Sequence, residues 1–266
     1  MDAGPRCVTL ALIMRSDTFV LEKKKNAMTR TAVRTERTAA LGSLSDANMF
    51  IPISLGNHYY SSEILGRLVS DFVANSKFAV VFLCDRLRFL SYRMRGAENI
   101  QQITANIKLQ MDQLTRSLMN LGLASYPNVT IANWSFLLDD PRYAGLLAAL
   151  EDFLRRDAML HRKLADYAAE LMHRFPGVEG TAMLERTMLQ REYVVEETAL
   201  SLYMTEIRGF HVEVYRRGMG FVDALYSERP AELMSLLGKS KLDRKFISLE
   251  EWVTGLGCNE NARSPD

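Results

Sequence analysis

Met49-Phe50-Ile51-Pro52-Ile53-Ser54-Leu55-Gly56-Asn57-His58-Tyr59-Tyr60-Ser61 is the stretch that decides the fold. Its uninterrupted apolar run ends in a serine and a glycine, the pattern of a short buried strand feeding a turn. Ser61 or Ser62 can then cap a helix reaching about residue 69. Outward from this stretch, Phe78–Leu83 is a second buried strand closing on Cys84-Asp85, and Val129-Thr130-Ile131 is a third. Residues 211–215 read as a later strand. Helical patterns cover about 99–121, open again at Asp140-Pro141, and run from about 182 to 204. Strands alternating with helices predict an α/β fold with a mainly parallel sheet flanked by helices.

Residues 152–174 form the clearest amphipathic segment and are expected to make one helix ending at Pro176-Gly177. At about 100° per residue, Phe153, Leu160, Leu164, Tyr167 and Leu171 share a face. Arg155, Arg156, Arg162, Lys163 and Arg174 share an arc of roughly 120° away from it.

The chain has 266 residues, of which 48% are hydrophobic and 24% charged, an ordinary globular mix. A formal net charge of +1 gives no global attraction to a polyanion, so any nucleic-acid contact must come from local patches. Cys7, Cys84 and Cys258 are far apart and odd in number, which argues against a disulfide framework and a zinc site. The apolar run at 8–14 is shorter than the about 20 residues a bilayer needs, and no small-residue cleavage site follows it. The chain therefore reads as soluble and cytoplasmic, with no membrane partner. Residues 1–46, with Lys23, Lys24, Lys25, Arg30, Arg34 and Arg37 among Thr, Ala and Ser, are expected to be a peripheral basic extension. Residues 47–250 are expected to form a single catalytic domain, and 251–266 a polar tail.

Three constellations could carry chemistry. Ser54 follows a buried strand, where open α/β sheets hold ligands and backbone N–H groups can steady an oxyanion. An ordinary turn in which Ser54 and Asn57 satisfy the backbone fits the same residues. The segment does not match the Gly-x-Ser-x-Gly elbow of hydrolases. Second, Tyr193, Glu197 and Leu200 fall on one helical face, with Met204 a turn further. A tyrosine hydroxyl beside a carboxylate can hold an α-amino group and relay its proton, although helical glutamates are commonly just solvated. Third, Tyr215 ends a strand and could meet the other two across the crevice; it also suits a half-buried strand position flanked by surface Arg216 and Arg217. Gly238-Lys239-Ser240 is not a phosphate loop, because Leu233 stands where the upstream glycine belongs.

In order, these segments resemble the tRNA-dependent cyclodipeptide synthases over about residues 50–237. The family's opening motif is a strand ending in serine, two variable residues, an asparagine and an aromatic pair, and residues 50–61 follow it. Its helical Tyr-x-x-x-Glu matches Tyr193 to Glu197, leaving Glu196 as a neighbour. Its strand tyrosine matches Tyr215, with Phe221-Val222-Asp223-Ala224-Leu225-Tyr226 following. Two positions depart from the family: Arg216 stands where histidine or proline is usual, and Pro52 where glycine is common.

The resemblance implies a Rossmann-like fold similar to the catalytic domain of class I tyrosyl- and tryptophanyl-tRNA synthetases, used without ATP, cofactor or metal. It implies a ping-pong reaction of two aminoacyl-tRNAs in which Ser54 carries the first aminoacyl group. Asn57 would anchor the bound aminoacyl moiety, Tyr193 and Glu197 would hold its ammonium, and Tyr215 would orient or relay protons. Pro52, Leu200, Met204 and Arg216 would border the substrate. For tRNA, the stripe Arg155, Arg156, Arg162, Lys163 and Arg174 is the richest candidate. Arg86, Arg88, Arg93 and Arg95 form a second cluster, and Lys108 and Arg116 a thin third one. A monomer is expected. A same-fold aminoacyl-tRNA-dependent transferase to another amine or peptide, or a non-catalytic RNA-binding module, would share much of this pattern.

Overall fold

The structure, a computed structural model, describes residues 44–172 and 181–254. Most of the expected amino-terminal extension, Arg174, the helix end at Pro176-Gly177 and residues 255–266 lie outside the described residues.

Among the described residues, one parallel sheet holds β1 (Asn48–Ile53), β2 (Phe78–Leu83), β3 (Val129–Asn133), β4 (Val212–Tyr215) and β5 (Lys245–Ser248). Their spatial order is β3-β2-β1-β4-β5. Every neighbouring pair is parallel, and Phe50 stands opposite both Val80 and Glu213. This is the order of a Rossmann-like doubly wound sheet, with its switch point between β1 and β4. The sequence reading anticipated the first four strands and not β5, whose four residues include only two apolar ones.

The helices are α1 (Ser62–Arg67), α2 (Asp85–Met94), α3 (Ile100–Asn120), α4 (Ser135–Leu138) and α5 (Pro141–Arg156). They continue as α6 (Ala158–Met172), α7 (Thr181–Leu202), α8 (Gly220–Glu228), α9 (Ala231–Leu237) and α10 (Leu249–Thr254). Ser61 caps α1 by accepting a hydrogen bond from the Ile64 N–H at 3.4 Å. A π-helical turn, Leu68–Val73, prolongs it, and another, Tyr203–Ile207, prolongs α7.

The single helix expected over 152–174 is instead two. Asp157 leaves the helical backbone at φ −83°, ψ 100°, and its Oδ1 accepts from the N–H groups of Met159 and Leu160, both at 3.0 Å. It closes α5 and caps α6. The apolar period survives the break, since Phe153, Leu160 and Leu164 are all buried, so periodicity alone cannot reveal it.

Alternation along the strands divides the core. Met49, Ile51, Ile53, Val81, Val212 and Val214 face α1, α3 and α10. Phe50, Val80, Phe82 and Cys84 face the other way, against α5, α6, α7 and α8. Leu44 and Trp252, on either side of the expected 47–250 limits, are both buried, and the Trp252 indole donates to Asp71 Oδ2 at 3.0 Å. No helix among the described residues is long and apolar enough to cross a membrane.

Candidate active site

The same alternation builds the site. Phe50 and Pro52 point to the α7 side of the sheet, and Ser54 lies two residues beyond Pro52. On β2 the matching series is Val80, Phe82 and Cys84; on β4 it is Glu213 and Tyr215. At the carboxyl ends of β1 and β4, next to the switch point, the serine and the tyrosine therefore converge. Ser54 Oγ and the Tyr215 hydroxyl lie 2.7 Å apart, in a hydrogen bond across 161 residues of sequence.

The turn after Ser54 is tightly specified. Asn57 N–H donates to the Ser54 carbonyl at 3.3 Å, and Asn57 Oδ1 accepts from the Tyr59 N–H at 3.0 Å. Asn57 thus shapes the turn that presents the serine. Gly56 adopts φ +66°, and a Cβ there would stand 2.5 Å from Nη2 of Arg88. The positive φ favours glycine at this position, and any side chain would also have to displace the Arg88 guanidinium.

Helix α7 covers this side of the sheet. Tyr193, Glu197, Leu200 and Ser201 follow the i, i+4, i+7, i+8 spacing of one face. Burial pushes the Glu197 carboxyl up to about 8, the neighbouring carboxylates of Glu213 and Asp223 push the same way, and Arg244 opposes them. Burial likewise lifts Tyr193 and Tyr215 well above the ordinary tyrosine range, reinforced at Tyr193 by Glu197 and at Tyr215 by Tyr193 and then Glu197. Both phenols are therefore neutral hydroxyls, able to donate or accept hydrogen bonds and unsuited to act as bases. Burial, with Glu197 next in importance, also raises the Cys84 thiol, which stays protonated.

A small pocket joins these elements. Phe50, Pro52, Cys84, Leu87, Glu197, Leu200, Ser201, Glu213, Tyr215 and Met219 line it, and its volume is about 10 Å³, the room of one water molecule. Its walls are largely apolar, with two carboxylates and two hydroxyls placed among them. Sequence reasoning anticipated Pro52, Glu197, Leu200 and Tyr215 here. It missed Glu213 and Ser201, although the period of two in β4 and of four in α7 puts each beside a residue it did select.

Other expected site residues fall elsewhere. Met204 is fully buried in the same core as Phe50 and Leu200 and does not line the pocket. Arg216 donates from Nε to Glu250 Oε1 at 2.6 Å and lies 4.9 Å from the Tyr59 ring centre, tying α10 to the serine turn. Glu196 is buried and ion-paired with Arg86, whose Nε lies 3.0 Å from Glu196 Oε1.

The basic residues divide in the same way. Arg86 serves Glu192 and Glu196, Arg93 meets Glu185, Arg156 meets Asp152 and Lys163 meets Glu228. Arg88 instead bonds Gln110 at 3.0 Å and stacks on Tyr92. Arg155, Arg162, Lys108 and Arg116 are exposed on α5, α6 and α3.

Residues 34–235 match the model of the cyclodipeptide synthase family. No curated protein matches the chain in sequence. Among solved structures, a Mycobacterium tuberculosis protein described as showing that cyclodipeptide synthetases are related to type I tRNA synthetases is similar in fold. It shares 17% identity at a TM-score of 0.58, over 72% of this chain and 82% of its own. A cyclodipeptide synthase from Streptomyces noursei shares 14% identity at a TM-score of 0.55, over 79% of this chain and 99% of its own. One from Staphylococcus haemolyticus shares 10% identity at a TM-score of 0.60, over 80% and 94% respectively. At such identities these likenesses are of fold.

Proposed function

The chain belongs to the cyclodipeptide synthase family, and we propose that it builds its cyclic dipeptide from two aminoacyl-tRNAs by a ping-pong route through Ser54. The observation that carries this reading is the Ser54–Tyr215 hydrogen bond at the sheet's switch point, beside a pocket that contains Glu197.

In the first step Ser54 Oγ attacks the ester carbonyl of one aminoacyl-tRNA. The serine ester forms, the bond to the tRNA 3′-terminal ribose breaks, and the proton of Ser54 leaves with that ribose oxygen. Tyr215, a neutral phenol, orients the serine hydroxyl and can pass the proton along. The α-amine of the serine-bound aminoacyl group then attacks the ester carbonyl of the second aminoacyl-tRNA, so that the peptide bond forms, the bond to the second ribose breaks and the amine's proton leaves with that ribose oxygen. In the proposed route the second tRNA departs and Ser54 carries the dipeptide. Attack by the dipeptide's own amine closes the ring and restores the serine.

Each amine must shed a proton before it attacks. A group with a pKa near 8 is matched to an α-ammonium, whose ordinary value is about 7.7–8.0, so the exchange with Glu197 is close to balanced in either direction. Tyr193, one turn away on α7, supplies a hydroxyl for the same amine. The aminoacyl ester is already activated, so the protein's task is positioning and exclusion of water rather than supply of energy. Pro52, Leu200 and Cys84 give the pocket its apolar wall, and Met219, unbranched and adaptable, is the wall residue best suited to move for a side chain. Arg155, Arg162, Lys108, Arg116 and Arg88 retain charge for tRNA phosphates.

The test is to incubate the protein with charged tRNA and to measure intact mass and small-molecule products. An aminoacyl adduct mapping to Ser54, together with a cyclic dipeptide, is expected. An adduct on another residue, or only linear products, contradicts the reading.

A further inference from the structure

An ion cluster behind the pocket takes no part in the steps above. Arg244, the residue before β5, donates from Nε to Glu213 Oε2 and from Nη1 to Asp223 Oδ1, each at 2.7 Å. The side chains of Arg244 and Glu213 are 3% and 1% exposed, whereas Asp223 is 38% exposed. Rings of Tyr226 and Phe246 lie 4.9 and 4.6 Å from the guanidinium carbon. Glu213 Oε2 also accepts from Ser201 Oγ at 2.7 Å, and Ser201 and Glu213 both line the pocket with Glu197.

A carboxylate buried on a central strand beside Phe50 is costly unless a cation compensates it. Here a single guanidinium serves two carboxylates, of which Glu213 lines the same pocket as Glu197 and Asp223 is partly exposed. Arg244 also lies beyond residue 235, where the family match ends. This compensation is therefore supplied by a part of the chain outside that match.

We propose that Arg244 is a positioning residue of this site: by clamping Glu213 and Asp223 it fixes the pocket wall and sets the charge that Glu197 experiences. Its bearing on catalysis rests on the reading of Glu197 as the group that exchanges a proton with the α-amine. The groups around Glu197 are Glu213 and Tyr215 of β4, Asp223 of α8, Cys84 at the end of β2, Tyr193 of its own helix, and Arg244. Of these, Glu213, Asp223 and Arg244 form the ion cluster, two carboxylates joined by one guanidinium. Removing either carboxylate makes Glu197 release its proton more readily. Removing Arg244 as well returns the balance toward that of the wild type.

The experiment is a carbon NMR titration of protein labelled at the glutamate carboxyl, with the Glu197 signal identified as the one lost in Glu197→Gln. Glu213→Gln is expected to lower the Glu197 midpoint by about one unit, the usual effect of one nearby charge. The double variant Glu213→Gln with Arg244→Gln keeps the shape of the buried pair without its charges and is expected to restore the midpoint. Asp223→Asn, at a half-exposed position, is expected to shift it downward too and serves if Glu213→Gln does not fold. An unmoved midpoint in the single variants, or a double variant that keeps the Glu213→Gln value, overturns the proposal. Turnover of Glu197→Gln is measured separately: full activity there overturns the role given to Glu197 while leaving the titration result standing.

Discussion

Arg86 grips Glu196 through Nε, at 3.0 and 3.1 Å from its two carboxylate oxygens, while Glu197, the next residue on the same helix, makes no such ion pair among the described residues and lines the pocket. One step along α7 rotates a side chain by about 100°, which is enough to give two adjacent glutamates opposite surroundings. Glu197→Gln is expected to cut cyclic dipeptide formation by roughly 10²–10⁴, the usual weight of a positioned acid–base group. Glu196→Gln is expected to keep the chemistry and lose stability by about 1–3 kcal/mol, because a buried carboxylate gives up its charge-assisted bonds. Single-turnover rates and thermal melts of the two variants separate the effects, and reversed effects would mean that the pocket side of α7 is drawn wrongly.

The stability difference between wild type and Glu197→Gln should depend on pH with a definite sign. The folded-state value is raised to about 8 from 4.5, so above pH 4.5 the unfolded chain releases a proton that the folded one still holds. Wild-type stability is then lost progressively between pH 4.5 and 8, relative to a variant with nothing to titrate. Melting temperatures of the two proteins should coincide in acid and diverge in favour of Glu197→Gln as pH rises toward 8. A constant difference across that range would mean that Glu197 ionises normally.

Ser54 and Tyr215 should fail in different ways. Ser54→Ala removes the acyl carrier and is expected to abolish both adduct and product while the fold persists, because Ser54 contributes little to the core. Tyr215→Phe leaves the carrier but removes its hydrogen-bond partner. Acyl transfer should slow by roughly tenfold or more, in line with the about 1–1.5 kcal/mol of one such bond. A Tyr215→Phe enzyme that acylates at the wild-type rate would show that the 2.7 Å contact orients nothing of consequence.

Gly56→Ala tests the serine turn. At φ +66° an alanine costs about 1–2 kcal/mol, and its Cβ meets the Arg88 guanidinium at 2.5 Å. The arginine must swing away or the turn must open, so reduced stability and slower acylation of Ser54 are both expected. Gly56→Ala combined with Arg88→Ala should recover the part due to the clash and not the part due to backbone strain. Full recovery, or none, would misassign the cause.

For tRNA, the informative variants are those whose cations are not committed to carboxylates. Charge reversal at Arg156 or Lys163 would also set a carboxylate against Asp152 or Glu228, confounding binding with local repulsion. Neutral Arg155→Gln with Arg162→Gln avoids that and should weaken aminoacyl-tRNA binding. If both cations meet phosphates, the slope of log affinity against log salt should flatten by about 0.7–0.9 for each contact. Thermal stability should change little, since exposed charges contribute little. Unchanged affinity and slope would direct attention to Arg88, Lys108 and Arg116.

The strand-to-turn run at 49–57 and the apolar run at 78–83 are legible because each is apolar beyond what a half-exposed segment tolerates, and the half-exposed Val129-Thr130-Ile131 because all three residues are β-branched. Their parallel arrangement follows from the helices between them. The spacing of 193, 197 and 200 puts them on one helical face, and the resemblance to the family's Tyr-x-x-x-Glu is what selects Glu197 over Glu196. Other features leave no such trace. The break at Asp157 preserves the apolar period, and β5 is too short to show one. Met204 lies within the π-helical turn Tyr203–Ile207, a departure from the α-helical period that propensity does not encode.

By itself, then, the sequence determined the α/β order, the strand ends that carry Ser54 and Tyr215, and the helical face that carries Tyr193 and Glu197, because local periodicity dictates each. Only the tertiary structure decided that Ser54 meets Tyr215 at 2.7 Å, that Glu196 belongs to Arg86, and that Glu213 and Arg244 stand behind the pocket. Those relations join residues 31 to 161 positions apart, and the pairing of strands and the packing of α7 across them bring the partners together. No pattern within a single element records which distant partner a buried charge will find.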